Sequence, residues 1–211
     1  RIEIARSFGV REFQVSLPSW GPCSEAELYA FFDAVCGSHP DCLFLNYNLL
    51  RTKRFITPKE YGRIAADHEN FVGAKVAIDS TRQIWEFLYE APSLRYFFTE
   101  PGFAYGSLIG DCGLLISSAS CNWRRAGEYY RSGKERDTAV LLSLQAELFS
   151  LTRDLISCVG SSAHMDGAYD KLFVKLAVPE FPLRLLPPYA GVSDEVFTAF
   201  KRILETRYPA W

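Results

Sequence analysis

No block of basic residues interrupts this sequence. Its 23 lysines and arginines are interspersed with 25 acids, for a net charge of −2. That balance argues against a nucleic-acid partner and, with no cationic amphipathic helix, against a membrane surface. The apolar runs fall well short of the roughly 18 residues that a membrane-spanning helix needs. Histidine is scarce: His39, His68 and His164 lie far apart and form no ligand pair. The cysteines Cys23, Cys36, Cys42, Cys112, Cys121 and Cys158 show no CxxC spacing. No metal site is therefore expected, and the thiols read as reduced, in a cytoplasmic protein. No glycine-rich phosphate loop follows any expected strand, which removes the common nucleotide cofactors and leaves none expected. No secretory leader opens the chain, and neither does a methionine. Arg1 to Gly9 reads as the end of a helix closed by glycine, so the expectation is a chain that begins inside a longer parent.

What is present is apolar and aromatic, 48% and 15% of 211 residues, enough for one sizeable core. Glu12 to Leu17 reads as a short strand, closed by the breaker cluster Pro18 to Pro22. Ser24 and Glu27 make a capping box for a helix running to about Val35. Leu43 to Leu49 is the next strand, and Thr57-Pro58-Lys59-Glu60 opens a second helix with proline at its first position. Strand 71–78, helix 81–89, strand 95–99, a short helix after Pro101 and strand 114–118 follow. Strand and helix thus alternate through five units with short connections, the signature of parallel βα architecture. Beyond about residue 122 the pattern becomes helical: Leu141, Leu144, Leu148, Leu151 and Leu155 recur at helical spacing, Tyr169 to Ala177 forms a further helix, and a proline-rich bend leads to a closing helix capped by Ser193. The expected division is 1–121 for the βα units and 122–211 for the helical remainder. Two α/β folds fit, a (β/α)8 TIM barrel and a doubly wound sheet, and the missing phosphate loop weakens the nucleotide-binding version of the second.

The stretch Phe71-Val72-Gly73-Ala74-Lys75-Val76 places one lysine in a β-rich apolar run. A desolvated lysine is driven toward its neutral, nucleophilic form, the requirement for Schiff-base chemistry with a carbonyl. The alternative is a lysine near the strand end that keeps its ammonium in water. Tyr47, ending the preceding strand, could relay protons beside such an amine. It could equally be a core tyrosine with its hydroxyl satisfied by backbone.

At this pair the sequence resembles a known family. Tyr47-Asn48-Leu49-Leu50-Arg51-Thr52, followed by Gly73-Ala74-Lys75, is similar to the Tyr-Asn-x-Pro-x-Arg-Thr-Gly and Gly-x-Lys motifs of the dihydrodipicolinate synthase / N-acetylneuraminate lyase family. Leu17-Pro18-Ser19-Trp20, Gly113 to Ser120, and Lys175 with Pro182 to Pro187 resemble further family segments in the same order. The resemblance implies strands four to eight of a TIM barrel with a C-terminal helical extension. It also implies a metal-independent class I lyase in which Lys75 forms a Schiff base with pyruvate or another small 2-oxo acid. Tyr47 would be its catalytic partner, Arg51 and Asn48 would contact substrate, and the assembly would be a homotetramer. A non-catalytic scaffold or inactive fragment of the same fold is the competing reading. The tyrosine loop is one residue short and lacks the family's proline and final glycine. Val76 replaces the usual acid, and Thr99-Glu100-Pro101 replaces a Gly-Asp-Asp segment. The family's first three strands, with the Gly-Thr-Thr loop that holds the pyruvate carboxylate, have no counterpart here. The aromatics Trp20, Tyr129, Tyr130 and Trp211 are expected to exceed what one core needs and to serve association.

Overall fold

The computed structural model describes residues 1–161 and 165–211. His164 therefore lies outside the described residues. The chain falls into two compact units, Arg1–Leu115 and Ile116–Trp211.

The first unit begins with the short helix α1 (Ile2–Ser7), and Gly9 follows it at φ +88°, the left-handed conformation expected of a closing glycine. Strand β1 (Glu12–Val15) leads to α2 (Glu25–Phe32). Its capping box forms as the sequence predicts: Ser24 N–H donates to Glu27 Oε2 at 2.7 Å and Glu27 N–H donates to Ser24 Oγ at 3.3 Å. The helix then widens into a turn of π geometry over Asp33–Gly37. Next come β2 (Leu43–Asn48), α3 (Pro58–Asp67) behind its own Thr57–Glu60 box, β3 (Phe71–Val76), α4 (Thr81–Glu90), β4 (Arg95–Thr99), α5 (Glu100–Ile109) and β5 (Gly113–Leu115).

All five strands are parallel and lie in the order in which the chain makes them, β1-β2-β3-β4-β5. A doubly wound sheet reverses its strand order at a switch point; this winding does not, and it is that of a (β/α)8 barrel. One face of the sheet is the core. Phe44, Phe71, Ala74, Val76, Tyr96 and Phe98 are buried there with Phe32, Tyr61, Ile84, Phe87 and Phe103 of the helices. Aromatic rings make this layer continuous, with Tyr61 within 6.4 Å of Phe71, Phe87 and Tyr96, centroid to centroid. A polar insertion in this layer is satisfied: Tyr61 donates its hydroxyl to Asn46 Oδ1 at 2.6 Å, and Asn46 Nδ2 donates to the Val15 carbonyl. Burial drives the Tyr61 phenol well above its ordinary value, so it keeps the proton that it donates to Asn46. Residues of the opposite pleat, Leu45, Tyr47, Gly73, Lys75, Arg95, Phe97 and Thr99, lie on the other face by alternation and register.

Four strands end earlier than the sequence suggests, β1 at Val15 rather than Leu17 and β2 at Asn48 rather than Leu49 among them. β3 stops at Val76 rather than Ile78, and β5 at Leu115, because Ser117–Ser120 turns into a single 3₁₀ turn. Helix α5 is seated under the end of β3 by Gly102, where a Cβ would come within 2.8 Å of the Ile78 carbonyl oxygen.

The second unit is helical: α6 (Trp123–Glu135), α7 (Thr138–Val159), α8 (Asp166–Ala177) and α9 (Asp194–Arg207). The leucines of α7 at helical spacing are all buried, and those from Leu151 onward join Leu172, Phe173, Phe200 and Leu204 in one cluster. Helix α6 opens the segment expected to be helical from residue 122, and its inward positions are Ala126, Tyr129, Ser132 and Gly133, with no leucine period to mark its bounds. Tyr129 is fully buried here and does not offer the interface surface expected of it. Polar staples close this unit. Buried Asp154 accepts from the Tyr208 hydroxyl and from Arg207, each at 2.7 Å, and the Tyr208 bond above all holds its carboxyl below the usual range. Glu147 receives both Arg125 and the Trp211 indole N–H.

Candidate active site

Lys75 and Tyr47 are register partners on adjacent strands β3 and β2, on the face that the helices do not cover. The lysine Nζ stands 3.8 Å from the centroid of the Tyr47 ring, so its polar contact is with the ring face. Both side chains are partly buried. The pair sits near the C-terminal ends of its strands, the end at which barrel enzymes place their chemistry. Ala77, the next residue of this pleat, is small and exposed, so nothing on its own strand covers Lys75 toward the mouth.

The other two residues expected at substrate are placed differently. Asn48 belongs to the helix-covered pleat and is buried. Its Nδ2 donates to the Ile56 carbonyl at 2.8 Å and its Oδ1 accepts from the Ile56 N–H at 3.0 Å. Its carboxamide therefore clamps the loop between β2 and α3, and points away from the Lys75 face. Arg51 lies on that loop, in the 3₁₀ turn Leu50–Thr52, and is exposed with no hydrogen bond or ion pair among the described residues. Its cationic neighbours are committed. Lys53, at φ +59°, donates to the Trp20 carbonyl, and Arg54 donates to the Cys23 carbonyl and pairs with Glu60. Those contacts tie the β1–α2 loop to the β2–α3 loop. The sequence reading had missed this link, although the capping-box Glu60 six residues after Arg54 was a usable signal.

A groove of about 630 Å³ runs along the same face over the first halves of β1 to β4, lined by Gln14, Leu45, Gly73, Arg95 and Phe97 among others. Neither Tyr47 nor Lys75 lines it. Phe97 can lie flat because its register partner is Gly113, where a Cβ would run into the ring.

Lys175, the alternative nucleophile, is held in the second unit. Its Nζ donates to the Pro179 carbonyl at 2.9 Å and to Phe181 at 3.3 Å, and lies 3.7 Å from Asp194. The bend after α8 folds its carbonyls back over the side chain.

No protein-family model matches the sequence, and no curated protein does. Solved structures do. A prophage protein of the dihydrodipicolinic acid synthase family from E. coli K12, solved with pyruvate, is 17% identical with a TM-score of 0.77; the match covers 96% of this chain and 68% of that one. CdNal from Clostridium difficile, solved with mannosamine, is 17% identical with a TM-score of 0.78, over 97% of this chain and 69% of the other. The 2-keto-3-deoxygluconate aldolase of Sulfolobus sulfataricus, solved with D-KDPG, is 18% identical with a TM-score of 0.73, over 91% and 63%. At these identities the likeness is one of fold. The chain carries the TIM-barrel architecture of dihydrodipicolinate synthase and aldolase structures, and spans about two thirds of their length.

Proposed function

We propose that this chain carries the Schiff-base centre of a class I lyase that acts on pyruvate or another small 2-oxo acid. The observation that carries the reading is the Lys75–Tyr47 pair near the strand ends, on a fold shared with lyases and aldolases. In the proposed reaction the neutral Lys75 amine attacks the ketone carbon and forms a C–N bond. The carbonyl oxygen takes up protons, one of them relayed by the Tyr47 hydroxyl, and leaves as water. Loss of a C3 proton from the resulting iminium gives an enamine that adds to an aldehyde; the reverse sequence cleaves the adduct. Attack requires the amine to leave the ring face on which it rests. Arg51, uncommitted on its loop, meets the anionic end of the substrate.

No metal or cofactor enters this scheme, and neither nucleic acid nor membrane is a partner. The six free thiols suit a reducing, cytoplasmic setting, and no helix of the described residues is long and apolar enough to cross a membrane. The active assembly is a homotetramer, with the almost fully exposed Trp20 as one aromatic available for contacts. A panel of 2-oxo acids and aldehydes, run with and without EDTA, tests the reaction. Turnover insensitive to chelation is expected. Turnover that is lost on chelation and restored by a divalent ion would mean a metal-dependent aldolase instead.

One observation favours the scaffold reading. Among the described residues the parallel sheet has two free edges, β1 and β5, and five strands do not close an eight-stranded barrel. Absence of both turnover and imine across that panel would select the scaffold.

A further inference from the structure

Helix α7 has two apolar faces, and the core of its own unit uses one of them. Leu141, Leu144, Leu148, Leu151 and Leu155 point inward and are buried. On the opposite side a second series runs Ala139, Leu142, Ala146, Phe149, Arg153 and Ile156, and all six residues are exposed. Leu142, Phe149 and Ile156 leave 49%, 47% and 55% of their surface in water. The spacing of the series alternates between three and four residues, the repeat of a helix that packs along a partner helix. A solvated helix face normally carries charges. Among the described residues, the exposed positions of α7 carry a single one, Arg153, whose Nε lies 3.4 Å from Asp154. The residues that flank the seam, Ser143, Ser150, Thr152 and Ser157, are small and uncharged, and hold no second helix away.

The seam is complementary to itself in one direction. In a two-fold antiparallel pairing centred between Ala146 and Phe149, residues equally far from the centre on either side face each other. Ala146 then faces Phe149 and Ala139 faces Ile156. Leu142 lies along the stem of Arg153, whose guanidinium extends to water. Large meets small in these layers, as close packing requires. A groove of about 430 Å³, lined by Ser143, Ala146 and Ser150 of α7 and by residues 207–211, gives Phe149 of a second copy a hole to enter. A parallel pairing would instead set alanine on alanine, which leaves voids, and one Arg153 against the other. We infer that α7 is an interface between two copies of this chain, packed antiparallel about a two-fold axis that passes between Ala146 and Phe149. The inference rests on the self-association proposed above and names one of its contacts; it does not depend on the chemistry of Lys75.

Sedimentation velocity on the whole chain over a concentration series tests it. The unmutated chain is expected to associate at micromolar concentration. Phe149→Lys alters two layers, one from each copy, and should raise the dissociation constant of the pair about 100-fold or more. The position is exposed, so helix content measured by circular dichroism should not change. The direction of pairing is read from two further variants. Leu142→Glu places a carboxylate opposite Arg153 of the second copy, and should weaken association less than Ile156→Glu, which places one opposite Ala139. Added salt should narrow that difference. Equal losses, or a larger loss for Leu142→Glu, overturn the antiparallel pairing. An oligomer that none of the three variants weakens overturns the interface and leaves the homotetramer to other surfaces. An unmutated chain that stays monomeric removes the homotetramer and this interface together.

Discussion

Lys75 and Lys175 show how differently the two units treat a partly buried cation. In the helical unit Lys175 is enclosed by two backbone carbonyls of the bend 178–188, to which it donates, and by the Asp194 carboxylate at 3.7 Å. In the βα unit Lys75 has an aromatic ring face and no oxygen acceptor among the described residues. The same contrast extends to acids and amides. In the helical unit Asp154 is saturated by Tyr208 and Arg207; within the βα unit Asn48 is saturated by Ile56, whereas among the described residues Arg51 makes no hydrogen bond and Thr99 makes no capping bond. A polar group satisfied from several sides fixes the fold; one left with a weak contact in a partly buried place can exchange it for a substrate.

Tyr47→Phe breaks the comparison most sharply. It keeps the ring beneath Lys75 and removes only the hydroxyl, so the fold should persist while turnover of a 2-oxo acid falls about 10²–10⁴-fold. Unchanged turnover would reduce Tyr47 to a resting place for the ammonium. In the helical unit the largest effect should come from packing: Leu151→Ala, at a fully buried position, is expected to lower stability by about 2–5 kcal/mol in urea unfolding. Asn48→Ala should cost about 1–3 kcal/mol, because it strands the buried Ile56 carbonyl and N–H. Faster hydrogen exchange at the Ile56 amide would report it, and unaltered exchange would mean that the clamp is redundant.

The smallest expected effect is electrostatic. Asp154 has a carboxyl held below its ordinary value of 3.8, first by the Tyr208 hydroxyl and then by Arg207. The sign follows from linkage: its stabilisation is fully present above that ordinary value and is lost as pH falls through the depressed folded value. Thermal midpoints measured from neutral pH down to about pH 3 should therefore fall less steeply for Asp154→Asn than for the unmutated chain, from a lower starting point. Parallel curves would place the acid sensitivity elsewhere, for instance at Asp41, whose carboxyl is lowered mainly by its bond to Arg6.

Much of this was legible in the residues. The capping box at Ser24, the proline-led helix start at Thr57-Pro58 and the leucine stripe of α7 rest on local periodicity and short-range hydrogen bonds, and these formed as read, while the strand carrying Lys75 formed two residues shorter. Barrel winding required the strand order, which alternation alone does not supply. The site was half legible. Asn48 and Tyr47, neighbours in one strand, must face opposite layers by alternation; which of the two meets the helices follows only from the packing of β2. Arg51, Lys53 and Arg54 look alike in the sequence, and only tertiary contacts to Trp20, Cys23 and Glu60 separate the free cation from the committed ones.

The central claim is that Lys75, and not the enclosed Lys175, is the nucleophile. Incubation with pyruvate, reduction with borohydride and peptide mapping of the adduct test it most directly. The account predicts label on the peptide containing Lys75, abolished by Lys75→Met and retained in Lys175→Met. Label on Lys175, or an adduct that persists in Lys75→Met, would contradict it.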